Sequence, residues 1–407
     1  MGSNSIDCKQ QWDCDWKSRH QTIPCPLHDP NPEKNADEFR AALSQLTRIW
    51  VSSNAPFKLY GVVFPASLGK DLFAFLGDGK FELKLSGATF YGLIQFDGKT
   101  FHRSVDFDAA VFKEVASFQH VQFNMPASFV GTIAERDAAF ADAIFGDSVY
   151  FDQMICQRAE FALAQFKSMA SFRGKPDQIL FQRATEVIFD EARFFRPDLV
   201  RLAYADFSRC SLLKADLRGI DFSGVRWGDK GKWSKHVVLY TREPEEQVRI
   251  ELESAYRQIR QSYEDRRDYG RAGAFYFGEM EQKWKGSRGF LVTLYRLSSS
   301  YGHSPGRACM ILLLLLAVDA LLVALCGLKP VLNAAYILVE GNGSWAWVLI
   351  GAWWDALWFH VLKVVTFNQP MVVPRLPIGD VISSLMRILI SVQVALFVLA
   401  VNRKFKR

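Results

Sequence analysis

Residues 90–129 read FYGLIQFDGKTFHRSVDFDAAVFKEVASFQHVQFNMPASF, and phenylalanine recurs in this stretch at intervals that alternate between six and five positions. The eight positions are Phe90, Phe96, Phe101, Phe107, Phe112, Phe118, Phe123 and Phe129. Phenylalanine is only 33 of the 407 residues, so composition does not produce this register. A short fixed period predicts a solenoid, in which each unit buries its apolar side against its neighbours.

A small or aliphatic residue stands two positions before most of these phenylalanines, as at Ala88, Val105 and Ala116. Residues i and i−2 lie on the same face of an extended strand, so each unit offers one large and one small inward side chain. The pattern continues more loosely to Phe194 and returns at intervals of five between Phe207 and Trp227.

The stretches Ala205-Asp206-Phe207-Ser208-Arg209 and Ala215-Asp216-Leu217-Arg218-Gly219 resemble the pentapeptide-repeat family, whose unit reads Ala-Asp/Asn-Leu-x-x. The resemblance covers about residues 60–227. It implies a right-handed quadrilateral β-helix. With about four units to a coil and a rise of ~4.8 Å per coil, seven or so coils would give a rod on the order of 35 Å long.

Some members of that family imitate DNA through an acidic surface. Between Asp78 and Trp227 there are 20 Asp and Glu against 18 Lys and Arg. A DNA mimic needs a continuous negative stripe, which this balance does not favour. The rod is expected to be a rigid spacer or a docking surface for a cytoplasmic protein partner, and no nucleic-acid partner is expected.

The whole-chain composition is 49% hydrophobic and 23% charged, but it averages two different halves. The segment from Ala308 to Leu328 contains a single charged residue, Asp319, and Ile378 to Val401 is a second apolar stretch. Each reaches the ~20 residues needed to cross ~30 Å of hydrocarbon. Two transmembrane helices in contact with membrane lipids are therefore predicted.

Basic residues near the ends of the spans predict their orientation. Those before the first span are Lys283, Lys285, Arg288, Arg296 and Arg307, and those after the second are Arg403, Lys404, Lys406 and Arg407. Between the spans only Lys329, Lys363 and Arg375 are basic. Both termini are expected in the cytoplasm, with the spans in a bacterial inner membrane. Positions 1–25 lack the apolar core of a signal peptide.

The apolar segment Trp345–Phe367 is long enough for a third crossing, which would put the termini on opposite sides. A re-entrant helix that enters and returns satisfies the charge bias, provided its irregular exit is buried in protein or faces water. Asp355, His360 and Lys363 lie on this segment and would be costly against lipid.

The order of span, re-entrant helix, short exit and second span resembles the two-helix pore module of the potassium-channel superfamily, over about residues 308–405. The resemblance implies a homo-oligomer of four subunits, since two spans cannot enclose a pore. That family carries a Thr-Val-Gly-Tyr-Gly filter. The corresponding residues here are Thr366, Phe367, Asn368, Gln369 and Pro370. Both glycines are missing, and Pro370 cannot supply their φ > 0 angles, so the pore is either differently selective or does not conduct.

Asp319 in the first span and Arg387 in the second are further intramembrane charges. Such residues usually face the bundle interior and pair. Asp319 is expected to meet Lys363 or Arg387, and the alternative is an aspartate tolerated by local water.

Near the N-terminus, Cys8, Cys14, Cys25 and His28 are separated by five, ten and two residues. Three thiolates and an imidazole are a standard tetrahedral zinc set. The pattern also resembles small zinc-binding heads that precede pentapeptide repeats in some membrane members of that family. A structural zinc is predicted, and a disordered tail with incidental cysteines is the alternative.

The chain is thus predicted to be a mixed multi-domain protein. Its parts are a zinc-binding-like head (1–35), a helical connector (36–56), the β-helix (57–227), a linker (228–243), a helical hairpin with an interfacial helix (244–301) and a two-helix transmembrane pore-like domain (302–407). The hairpin is expected to cap the last coil or to couple the rod to the pore, and its final helix to lie at the membrane surface.

The sequence carries no Walker loop, dinucleotide fingerprint, convincing triad or paired catalytic carboxylates, so an enzyme is not expected. The favoured function is an oligomeric ion-channel-like protein regulated or targeted by its solenoid. The alternative is a non-conducting, membrane-anchored scaffold.

Overall fold

The computed structural model describes residues 25–71, 79–228, 239–241, 244–302, 304–325, 328–330, 372–374 and 377–405. The chain divides into two compact units, Met1–Gln282 and Lys283–Arg407. The first holds a solenoid and the second holds the apolar helices.

Short strands recur along the described part of the first unit. They are β1 (Phe57–Lys58), β2 (Val63–Phe64), β3 (Leu83–Lys84), β4 (Thr89–Phe90), β5 (Ile94–Gln95), β6 (Thr100–Phe101), β7 (Val105–Asp106), β8 (Val111–Phe112), β9 (Ala116–Ser117), β10 (Gln122–Phe123), β11 (Ala127–Ser128), β12 (Ile133–Ala139), β13 (Ile144–Phe145), β14 (Val149–Tyr150), β15 (Ile155–Glu160), β16 (Gln165–Phe166), β17 (Ala170–Arg173), β18 (Glu186–Ile188), β19 (Arg193–Phe194), β20 (Val200–Asp206), β21 (Cys210–Ser211) and β22 (Gly224–Arg226).

These strands pair in parallel along four sides. Side 1 is β1-β3-β7-β11-β14-β17-β20-β22, and side 4 is β6-β10-β13-β16-β19. Side 2 runs from β2 through β4 and β8 to the first residues of β12 and β15. Side 3 runs from β5 through β9 and the last residues of β12 and β15 to β18 and β21.

The pairing register explains the phenylalanine intervals. Leu83 pairs with Val105 and Val105 pairs with Ala127, so one coil takes the chain from position 83 to position 105 and the next coil takes it to position 127. The alternating intervals of six and five positions are the four sides of that coil. Side 1 contains seven such steps, which at ~4.8 Å each span about 34 Å. The predicted β-solenoid of about seven turns is confirmed.

The phenylalanines stack in columns along the solenoid axis. In one column the ring centroids of Phe107 and Phe129 lie 5.1 Å apart, those of Phe129 and Phe151 lie 5.2 Å apart, and the planes are within 12° of parallel. Within a coil the rings meet edge to face, as between Phe118 and Phe129 at 83°. Both arrangements are favoured by the aromatic quadrupole, so the columns require each ring at its fixed interval.

The five-residue intervals are closed by tight turns. Ala109, Asp142 and Leu163 each lie two residues after a column phenylalanine and have φ of 53°, 54° and 59°. In the first turn the N–H of Ala110 donates to the carbonyl oxygen of Phe107 at 3.0 Å. A positive φ at the third position is the mark of a type II turn and costs a non-glycine residue about 1–2 kcal/mol.

Helices cover both ends of the solenoid. At the start, α1 (Ala36–Ser53) places Phe39 edge-on to Phe64 at 5.5 Å and Trp50 at 5.1 Å from Phe57. After the last coil come α2 (Arg249–Asp265) and α3 (Tyr269–Ser287). The Tyr263 hydroxyl, on α2, donates to the carbonyl oxygen of Phe222 at 2.9 Å. Helix α2 therefore caps the open edge of the last coil, as one of the two interpretations of the hairpin predicted.

The second unit contains α4 (Phe290–Ser299), α5 (Pro305–Leu325) and α6 (Pro377–Phe405). Helix α5 packs against both α4 and α6. Within α5 and α6, Pro305–Leu322 and Ser384–Asn402 are long and apolar enough to cross a membrane. The predicted re-entrant helix, Trp345–Phe367, lies outside the described residues.

A short antiparallel pair joins the two ends of the inter-span segment. Strand β23 (Leu328–Pro330) follows α5, and strand β24 (Val372–Pro374) precedes α6. Leu328 pairs with Pro374 and Pro330 pairs with Val372. The chain therefore leaves the first apolar helix and returns to the second at the same place.

Candidate functional site

Cys25 and His28 form a compact pair before α1. The Cys25 Sγ lies 3.3 Å from Nδ1 of His28, and Nε2 of His28 lies 2.7 Å from the carbonyl oxygen of Tyr60. A carbonyl only accepts, so in the neutral ring Nε2 carries the proton and Nδ1 presents its lone pair toward the sulfur. Zinc bonds of about 2.3 Å to sulfur and 2.0–2.1 Å to nitrogen at a tetrahedral angle would place these two atoms about 3.5 Å apart.

The ammonium of Lys34 lies close to this pair. Lys34 is buried, and its Nζ donates to the carbonyl oxygens of Leu27 at 3.1 Å and Asp29 at 3.0 Å. Burial lowers the pKa of Lys34 to about 8, while the negative charges of Asp29 and Cys25 oppose that shift. Lys34 therefore places a positive charge near Cys25.

The other two predicted zinc ligands, Cys8 and Cys14, lie outside the described residues. Within the part of the chain that the structure describes, no group of three or more His, Cys, Asp or Glu residues could hold a metal ion. The structure thus brings together half of the predicted ligand set.

Side 2 of the solenoid carries a strip of mostly aliphatic side chains on its outer surface. The outward residues are Val63, Thr89, Val111, Ile133 and Ile155, which are paired across successive coils and are half-buried. Ion pairs line the neighbouring corner: Lys113 with Glu135 at 2.5 Å, Arg136 with Glu114 at 2.9 Å and Arg158 with Glu186 at 3.0 Å. An apolar strip edged by fixed charges has the composition of a protein-contact surface.

An inserted loop covers the last part of this strip. The coil that runs from Ala170 to its pairing partner Val200 contains more residues than the regular coil from Leu83 to Val105. The additional residues form a loop over positions 174–185. Gln178 fixes the loop by donating from Nε2 to the carbonyl oxygen of Gln153 at 3.1 Å. At Gly174 a Cβ would lie 2.4 Å from the carbonyl oxygen of Tyr204, so only glycine fits there.

The loop and the strip enclose a cavity of about 250 Å³. It is lined by Met154, Ile155, Cys156, Asp177, Gln178, Ile179, Phe181, Gln182 and Arg183. Burial raises the pKa of Cys156 to about 12, so this thiol is not a nucleophile at neutral pH. The volume of this cavity lies below the ~300–1,000 Å³ of drug-sized ligand pockets.

The sequence feature that could have predicted the inserted loop is the loss of the regular phenylalanine interval between Phe172 and Phe189.

The predicted intramembrane charges lie on the two apolar helices. Asp319, on α5, has no exposed surface. Arg387, on α6, is half-buried and donates from Nη2 to Oγ of Ser384 at 3.3 Å. Asp319 therefore faces the interior, and its pairing with Lys363 or Arg387 stays a prediction.

Gln393 is a functional candidate that the sequence reasoning missed. It is 3% exposed, and its Nε2 donates to the carbonyl oxygens of Ala308 at 2.8 Å and Ser298 at 3.3 Å. It therefore fastens α6 to the junction between α4 and α5. The sequence feature that could have identified Gln393 is a side-chain amide within an apolar span, where a polar group without a hydrogen-bond partner costs several kcal/mol.

The predicted pore residues cannot be placed in the same way. Asp355, His360, Lys363 and Thr366–Pro370 all lie outside the described residues. What the structure gives for this segment is the pairing of its two ends in β23 and β24.

The β-solenoid contains pentapeptide repeats, as comparison with family models shows. A model of pentapeptide repeats in nine copies matches residues 85–133, and one of pentapeptide repeats in eight copies matches residues 200–226. Together the two matches cover less than half of the chain. The comparisons with curated proteins and with solved structures give no match.

Proposed function

We propose that this protein is a membrane-anchored solenoid scaffold that presents the outer faces of its β-helix to a cytoplasmic protein partner. The observation that carries the proposal is a solenoid covered at both ends, in a chain that also has two span-capable helices in contact with each other. Because α1 and α2 occupy the ends, only the four sides are left for a partner, and side 2 offers the most apolar surface.

The scaffold proposal is tested by crosslinking at side 2 in cells. A photo-crosslinker at Ile133 should yield one discrete adduct, and one at Gln122, an exposed outward residue on side 4, should not. Ile133→Asp should release the partner from the membrane fraction while the solenoid stays folded. Equal adducts from both positions, or no adduct from either, would rule out side 2 as the contact surface.

The proposed location is a bacterial inner membrane with both termini in the cytoplasm. The pairing of β23 with β24 supports the part of this proposal that places both termini on one side, because a single additional crossing between the two strands would separate Leu328 from Pro374 by ~30 Å of hydrocarbon. Paired strands lie only ~4.8 Å apart. Tags at the two termini should therefore both be cleaved by protease added to inverted membrane vesicles, whose cytoplasmic face is outside, and protection of either tag would refute this topology.

A conducting pore is the second candidate function, and buried polar groups on the span helices favour it. Asp319 is fully buried and Gln393 nearly so, although both lie on helices that are apolar enough for lipid. Intramembrane polar residues often line ion pathways. The pore would be a tetramer, with Thr366, Phe367, Asn368, Gln369 and Pro370 at its narrowest point.

Bilayer recording of the purified protein, with subunit number measured in detergent, separates the two functions. A pore gives single-channel currents that Asp319→Lys abolishes, and reversing Lys363 or Arg387 in the same chain would restore them and identify the partner. If the protein gives no currents in bilayers and the side-2 crosslinking adduct still forms, only the scaffold function is supported.

We also propose a structural zinc held by Cys8, Cys14, Cys25 and His28. The fit of Cys25 and His28 to two corners of a zinc tetrahedron supports it, as does the carbonyl of Tyr60 that orients the imidazole. Purified protein should contain one zinc per chain, and Cys25→Ser should lose it while Cys210→Ser, a buried cysteine of the solenoid, keeps it. Equal zinc content in the two variants would refute the site.

A further inference from the structure

Helix α4 carries an exposed apolar face. Phe290, Leu294 and Leu297 are 80%, 36% and 60% exposed. At 3.6 residues per turn their side chains fall within an arc of about 60°. Ser298 and Ser299 are buried, so these two hydroxyl side chains face inward while the three apolar side chains face outward.

Positive charge surrounds this face. The stretch 283–307 contains five Lys and Arg and no Asp or Glu. The guanidinium of Arg296 lies 3.9 Å from the centroid of the Trp284 ring, and that of Arg288 lies 5.8 Å from it. Trp284 in turn donates from Nε1 to Oγ1 of Thr293 at 2.9 Å. The two arginines are therefore held beside α4, one just before its first turn and one in its last turn.

The face also adjoins the start of the first apolar helix. Arg307, in the first turn of α5, donates from Nη1 to Oγ of Ser300 at 2.6 Å, which fastens the end of α4 to α5. Gln393 fastens the same junction to α6. A helix fixed at the end of a membrane span lies at the depth of the lipid headgroups.

We propose that α4 docks on an anionic phospholipid surface. Phe290, Leu294 and Leu297 enter the boundary between headgroups and acyl chains, and Arg288 and Arg296 bind lipid phosphates, with Lys283, Lys285 and Arg307 adding to the attraction. The inference rests on the proposed membrane placement of α5 and α6. It goes beyond that placement by naming the lipid class and the residues that recognise it.

The test is amide hydrogen exchange on the full chain in two kinds of nanodisc, one of phosphatidylcholine alone and one of phosphatidylcholine mixed with phosphatidylglycerol. At about 1 kcal/mol per basic residue near a charged surface, each arginine contributes about fivefold, so Arg288 and Arg296 together account for a factor of about 25 in the slowing of α4 exchange by phosphatidylglycerol. The variant R288Q/R296Q should lose this factor. The variant R288K/R296K keeps the charge and should retain it, which separates lipid binding from loss of the Trp284 stacking.

The matched control is K175Q/R183Q, which removes two exposed basic residues from the inserted loop of the solenoid and should leave the response unchanged. Identical exchange of α4 in the two lipids overturns the inference, as does a lipid response that is as large in R288Q/R296Q as in the unchanged protein. Protection that follows protein concentration instead of phosphatidylglycerol would mean that a second copy covers the face, which also overturns it. Exchange of α5 and α6 is read in the same spectra: if these helices are unprotected in both nanodiscs, the membrane placement itself fails.

Discussion

Phe129 offers the sharpest test of the stacked core. Its ring is 1% exposed and lies parallel to those of Phe107 and Phe151, with edge-to-face contacts to Phe118 at 5.5 Å and Phe140 at 5.2 Å. Phe129→Ala removes this ring from the middle of a column. The neighbouring rings are held by their own stacks, so the cavity should not collapse.

Truncating a buried phenylalanine to alanine destabilises proteins by about 3–5 kcal/mol, and a site that cannot collapse falls toward the upper end. At about 1.4 kcal/mol per tenfold change, the opening equilibrium of this coil should rise roughly a hundred- to several-thousand-fold. In a solenoid each coil contacts only its neighbours, so the effect should be largest in the coils next to Phe129 and small in α1.

Hydrogen exchange of the ladder amides measures this directly, for example at the N–H of Phe129, which donates to Tyr150, and that of Phe107, which donates to Ser128. Phe195→Ala is the matched control, because the same truncation at a 54%-exposed ring should change exchange only a few-fold. The reasoning is refuted if the two variants behave alike, or if Phe129→Ala accelerates exchange in α1 as much as in its own coil.

Three further outcomes are expected. Burial raises the pKa of Tyr256 to about 12, so the folded protein keeps a proton that the unfolded chain loses near pH 10. The resulting stability is complete below pH 10 and is lost as pH rises to 12, and Tyr256→Phe should make the denaturant midpoint fall less over this range. An equal fall in both proteins would show that burial does not raise the pKa of this phenol. Leu163→Gly removes the strain of a leucine with φ of 59° at a half-exposed turn, and should stabilise its coil by up to about 1 kcal/mol as measured by amide exchange. A destabilised coil would contradict the strain argument. Gln393→Leu removes two hydrogen bonds to backbone carbonyls and should accelerate amide exchange over positions 298–308 about 3- to 15-fold. Val392→Leu, on the exposed side of the same helix, should not accelerate it, and equal effects of the two changes would show that Gln393 does not hold these helices together.

The solenoid could be predicted from the sequence because its constraints are local and repeated. An inward phenylalanine at each side of a coil must recur at the interval that closes the coil, so Phe107 and Phe129 are one coil apart for the same reason that Val105 pairs with Ala127. The capping helix was predictable for a related reason. Tyr256, Ile259 and Tyr263 recur at helical spacing and all face the buried side of α2.

Features that depend on one contact between distant residues escaped prediction. The inserted loop is held by Gln178 against Gln153, and nothing in the sequence around either residue specifies that partner. Gln393 reaches carbonyls 85 and 95 positions earlier in the chain. The pairing of β23 with β24 joins segments that flank a long stretch and have no shared periodicity. Single long-range contacts leave no repeating signal in the sequence.

The β23–β24 pair nevertheless restricts the path that the chain can take between the two apolar helices under the proposed membrane placement. It returns the chain to its point of departure, so the segment between Pro330 and Val372 can cross the bilayer either not at all or an even number of times. Two complete crossings need about 40 residues, which this segment of about the same length could supply only with no turn between them. Under the proposed membrane placement, an external loop and a segment that enters and returns are the two remaining paths. The apolar composition of Trp345–Phe367 favours the second, so the pairing is compatible with the predicted re-entrant segment, which stays a prediction.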